Sequence, residues 1–62
     1  MKRRALIRHL EAHGCRLKRE GRAHTIYWNP ATGRREPIPQ HAEIPDLLAR
    51  KICRELEAPS SE

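Results

Sequence analysis

His24 opens a run of strand-forming residues directly after a basic, glycine-containing segment, Arg19-Glu20-Gly21-Arg22-Ala23. An imidazole exchanges protons near neutral pH, and arginines beside it are suited to hold a phosphate backbone. One ionisable group next to an anion-binding surface is the least that cutting RNA requires, because RNA carries its own nucleophile in the 2′-hydroxyl. Taking that proton as the hydroxyl attacks the adjacent phosphate is work for a general base. Taken alone, a histidine on a strand is more often a packing residue, and the residues by themselves leave both readings open.

The other chemistry-bearing residues divide into three groups. His41 follows the rigid Pro37-Ile38-Pro39 segment, which suits it to a second acid/base role, an RNA contact or the bracing of a loop. Arg22 and Arg35, next to the two turns, are candidate phosphate contacts; so are Arg3 and Arg4, which with Arg8 make a basic helix face. Solvated charge is the competing role for all of them. Tyr27 and Trp28 are adjacent on one strand and therefore face opposite ways. One fills the core and the other is free to stack an unpaired base; the pattern does not say which. His9 and His13 fall on the first helix at surface positions.

Sixty-two residues make one domain. A chain of this size buries only about 60% of the surface its unfolded form exposes, so any chemistry takes place on a shallow face against a large substrate. The net charge is +5, unevenly spread: residues 1–41 hold ten Lys/Arg against three Asp/Glu, and residues 42–62 hold three against five. A basic body points to an anionic partner, most simply nucleic acid. No run is apolar enough to span a membrane and no secretory segment precedes the two distant cysteines, Cys15 and Cys53. The expectation is a reduced, cytoplasmic chain with no membrane partner and with both thiols in the core. Cys15, His24, His41 and Cys53 lack the close pairing of zinc ligands, and the scattered carboxylates give no two-metal pattern. No metal or cofactor is expected.

These residues need elements to position them. Leu6, Ile7 and Leu10 form an apolar stripe, predicting a helix over 3–13 that ends at Gly14. Cys15 to Glu20 alternates as a half-buried strand; 21–23 is a hairpin connection; and His24 to Asn29 is the strongest strand of the chain. Asn29 to Gly33 is a turn, and Arg34 to Ile38 a third strand kept to an edge by Pro37. Ile44, Leu48, Ile52 and Leu56, with Leu47 alongside, predict a second helix over 45–57 with Pro45 near its first turn. The fold class is α+β in the order α-β-β-β-α, a three-stranded antiparallel sheet with both helices on one face. The domain should cover 1–58, with 59–62 a frayed tail.

The chain resembles the HicA toxin family, the HicA/YcfA-like mRNA interferases. The resemblance rests on Arg3-Arg4-Ala5-Leu6-Ile7, on His13-Gly14-Cys15, and on Gly21-x-x-His24-x-x-Tyr27. It continues through Asn29-Pro30, Arg34-Arg35-x-Pro37-Ile38-Pro39-x-His41 and Leu48-Ala49-Arg50-Lys51-Ile52. It implies a double-stranded-RNA-binding-domain-like fold and a toxin that cleaves mRNA without a metal. His24 would be the active-site residue, and a HicB-type antitoxin the partner that blocks it. One departure stands out: the family usually has a Gly-Ser pair before the histidine, and this chain has Arg22 and Ala23. Ala23 supplies no hydroxyl. The retained histidine favours the view that this position only keeps the turn compact. The alternative is a non-catalytic RNA-binding module of the same fold.

Overall fold

The structure, a computed structural model, describes residues 1–59. The order is α1 (Arg3–Ala12), β1 (Arg16–Glu20), β2 (His24–Trp28), β3 (Arg35–Pro39) and α2 (Asp46–Glu55). The three strands form one antiparallel sheet in sequence order, so β3 is an edge strand. That is where Pro37 and Pro39 can lack their N–H groups without breaking an inner ladder. The α-β-β-β-α order is the one the sequence predicts, with each boundary within two residues. Apart from Pro59, the expected tail lies outside the described residues.

Local chemistry explains the element ends. The last carbonyls of α1 are met by the N–H groups of His13, Gly14 and Cys15, and Gly14 takes φ +94°, open to glycine and strained for other residues. Pro45 is the N-cap of α2 rather than its first helical residue, and Asp46 follows in the first turn, where its charge suits the helix dipole. In the β2–β3 turn, Asn29 Oδ1 accepts from the N–H of Ala31, while its Nδ2 donates to the Leu56 carbonyl at 2.9 Å. One buried amide thus shapes the turn and ties it to the end of α2.

The core lies between the sheet and the two helices. Leu6, Leu10, Cys15, Tyr27, Ile38, Ile44, Ala49, Ile52, Cys53 and Leu56 are all buried. The stripe of α2 runs through Ala49, Ile52 and Cys53 and on to Leu56. Leu47 does not belong to it: it is 77% exposed, because it lies about half a turn round the helix from the centre of the buried face. Among the described residues no buried side-chain nitrogen or oxygen lacks a partner.

The inward strand face is Thr25/Tyr27/Asn29, which settles the two aromatics: Tyr27 is buried and Trp28 faces out. The Tyr27 hydroxyl donates to Glu11 Oε2 at 3.0 Å. Burial, then the hydrogen bond to Glu11 and its charge, push the phenol up to about 12. An unfolded tyrosine titrates near 10. Above that pH the unfolded chain sheds a proton that the native state retains. The stabilisation is therefore complete below about pH 10 and is lost as pH rises towards 12. Burial of the Cys15 thiol and the Glu36 partner of Lys51 raise those groups too, adding to the same alkaline decline. Urea midpoints measured across this window should fall with pH, and should fall less steeply in Tyr27→Phe.

Candidate active site on the open face of the sheet

Both helices cover the inner face, leaving the outer face open. The register puts Trp28 opposite Arg16 on one side and Arg35 on the other, Ile26 between Arg19 and Pro37, and His24 opposite Pro39. The pairing of β1 with β2 shifts between Leu17 and Arg19. Such a bulge inserts one residue and changes the alternation. Lys18 and Arg19, neighbours in sequence, both reach the outer face: Lys18 Nζ lies 4.4 Å above the Trp28 ring, and Arg19 pairs with Ile26. Lys18, Arg19, Ile26 and Arg35 line a shallow depression of ≈ 350 Å³.

The bulge also turns Glu20 inward, and the regular alternation of β3 does the same for Glu36. Glu20 sits opposite Thr25 and accepts from its hydroxyl at 2.7 Å. Glu36 is buried and bound to Lys51 Nζ at 2.7 Å. The strands thus separate charge across the sheet, with carboxylates beneath and cations above. Arg16 does not join the outer cations, because its guanidinium turns back to the Cys15 and Glu11 carbonyls. Arg34 is likewise engaged, by Glu55 at 2.9 Å.

His24 stands at the hairpin end of this face, exposed at the first position of β2. No hydrogen bond or ion pair engages its ring among the described residues. Its backbone is held firmly. Gly21 N–H donates to the His24 carbonyl at 2.9 Å, and a Cβ on Gly21 would stand 2.7 Å from that oxygen. A side chain at position 21 would push this turn apart, which is the physical reason for glycine three residues before the histidine.

Beneath the hairpin, the Thr25 hydroxyl accepts from Arg3 Nη2 at 2.8 Å and Gln40 Nε2 at 3.2 Å, and donates to Glu20. It thereby uses both lone pairs and its proton. Arg3 Nε also donates to the Pro39 carbonyl, and Gln40 Nε2 to the Gly21 carbonyl. Thr25→Val keeps the shape and removes all three bonds. It should cost about 1–3 kcal/mol, since polar partners are left unpaired. Chemical denaturation would check this; a loss below the error of the fit would mean that the network does not brace the hairpin.

The site candidates sort by place. Arg22 and His41 share the hairpin end with His24: Arg22 lies in the turn, and His41 is held between Gln40, whose N–H donates to the Ala23 carbonyl, and Ala42, whose carbonyl accepts from Arg3 N–H. Arg4 is exposed on α1 and lines a separate shallow depression with Lys2 and Ala42. Arg35 is exposed at the far end of the open face. Arg3 differs from these, because its guanidinium is turned in to brace β2 and β3. Lys18 and Arg19 join Trp28 on this face, and no sequence signal groups the three. Alternation places Lys18 and Arg19 on opposite sides, and no residue type at 17–19 announces the bulge.

A small α+β domain with one bare basic sheet face and an exposed histidine at the rim of that face offers an open surface rather than a cavity. The family model described as the HicA toxin of bacterial toxin–antitoxin matches residues 3–58. The chain belongs to the HicA toxin family and is the toxin member of a toxin–antitoxin pair, whose natural partner is an antitoxin. No curated protein and no solved structure matches it. Among the described residues no helix is long and apolar enough to cross a membrane.

Proposed function

We propose that this toxin is a metal-independent endoribonuclease that cleaves mRNA in the cytoplasm, with His24 as general acid/base. The observation that carries the proposal is the placement of His24: a solvent-exposed imidazole with a braced backbone, at the rim of a face whose carboxylates point away. His24 takes the proton of a 2′-hydroxyl as that oxygen attacks the adjacent phosphorus. The P–O5′ bond breaks, leaving a 2′,3′-cyclic phosphate on one product and a 5′-hydroxyl on the other. The departing 5′-oxygen takes a proton from His41, held at the same end, or from water. Arg22 stabilises charge on the non-bridging oxygens, and Arg4 and Arg35 hold flanking phosphates. Arg3 acts indirectly, as a brace. The domain responsible is 1–58. A HicB-type antitoxin covers the His24 face with acidic groups, since complementary charge speeds capture.

The test is incubation of RNA with wild type and His24→Ala in EDTA, with binding measured in parallel. Cutting by wild type, and binding without cutting by the variant, supports the proposal. Equal cutting by both removes His24 from the site. The second reading, a non-catalytic RNA binder, draws on Ala23, which lacks the hydroxyl usual in the family. It is supported if wild type binds without cutting and Ala23→Ser cuts.

A further inference from the structure

We propose that the open sheet face beyond His24 is a binding subsite for unpaired nucleotides, with a base stacked on Trp28 and phosphates held by Lys18, Arg19 and Arg35. The inference rests on the RNA-cleaving reading above and extends it to the path and strandedness of the substrate.

Three observations carry it. First, the outward residues of β2 run His24, Ile26, Trp28, an apolar and aromatic line flanked by cations on both neighbouring strands. An apolar floor with cationic rims matches a single strand lying with its bases down and its phosphates at the edges. Second, the β-bulge delivers two successive cations, Lys18 and Arg19, to one rim, and both sheet carboxylates are engaged on the other face. Third, the indole already holds a cation 4.4 Å from its centroid, so its ring face is presented rather than packed away. A base takes the place of that ammonium, and Lys18 moves to the adjoining phosphate.

At about 3.3 Å per residue, Trp28 lies roughly 13 Å along the strand from His24. The stacked base therefore belongs to a nucleotide flanking the scissile one. A duplex keeps its bases inside the helix and cannot use the ring. The subsite makes unpaired RNA the substrate class and places part of the affinity well away from the histidine.

Trp28 is the single tryptophan of the chain, so its emission reports on this face alone. The experiment titrates full-length His24→Ala with a short oligoadenylate, with a duplex of the same length, and with oligoglutamate. The expected result is saturable quenching by the single strand and little by the duplex. In the same background Trp28→Ala should weaken single-strand binding about tenfold, Trp28→Phe should retain most of it, and Lys18→Ala should lower the salt dependence of binding. Cleavage by wild type with unchanged Trp28 emission and unweakened binding by Trp28→Ala overturns the subsite and leaves the nuclease reading intact. Quenching by oligoglutamate but not by RNA assigns the face to a protein partner and overturns the proposal. Absence of both RNA binding and cleavage defeats the nuclease reading, and the subsite with it.

Discussion

Replacing His24 with alanine is expected to slow RNA cleavage by about 10²–10⁴-fold, the range a positioned general base contributes. RNA affinity should change little, because the phosphate contacts are assigned to arginines that the substitution leaves in place. Stability should change little as well. The His24 ring is exposed, and the bond that closes the hairpin uses its backbone carbonyl, which alanine retains. This separation makes the variant informative: single-turnover rates should collapse while the urea midpoint and the RNA dissociation constant hold. A variant that loses rate and stability together would make His24 a fold residue, and the rate loss would carry no chemical meaning.

Truncation of the core should have the opposite signature. Ile52 is fully buried at the centre of the α2 stripe. Ile52→Ala is expected to cost about 2–5 kcal/mol, combining lost burial with the cavity left behind. A domain of this length has on the order of 3–9 kcal/mol in total. The substitution therefore removes a large part of the stability and should lower the melting midpoint by tens of degrees, at roughly 4–8 °C per kcal/mol. Circular dichroism on heating checks this. A drop of only a few degrees would mean that the helix–sheet core repacks around the gap. Activity per folded molecule should stay close to wild type, since Ile52 lies on the side of the sheet away from His24.

Much of the fold was legible in the sequence because its stripes have the right period. Leu6 and Leu10 marked α1, Pro37 placed β3 at an edge, and Gly14 ended the first helix, all on local chemistry. The two faces of β2 were legible as faces but not as inside and outside. Thr25, Tyr27 and Asn29 carry polar atoms, and they can be buried only because Arg3, Gln40, Glu11 and the Leu56 carbonyl meet those atoms from distant parts of the chain. No window of sequence contains those partners.

The candidate site has the same pattern. His24 could be singled out because its local context, a glycine-containing basic turn before a strand, is contiguous. The brace beneath it could not, since Arg3 and Thr25 are 22 residues apart. Arg3 reads as one more surface cation until the fold turns it inward. The pairing of Lys18 with Arg19 on one face depends on a single-residue shift in register, and periodicity assumes that shift away. The composition is basic as a whole; only the sheet puts Lys18, Arg19 and Arg35 on one side and Glu20 and Glu36 on the other.

The most direct test of the central claim is end-group analysis of RNA cut by the wild-type protein in EDTA. Attack by the neighbouring 2′-hydroxyl, with His24 moving the proton, predicts undiminished cleavage and products ending in 2′,3′-cyclic phosphate and 5′-hydroxyl. Cleavage abolished by EDTA, or products ending in 3′-hydroxyl and 5′-phosphate, would contradict the account, because water and a metal would then be doing what has been assigned to the RNA's own hydroxyl and His24.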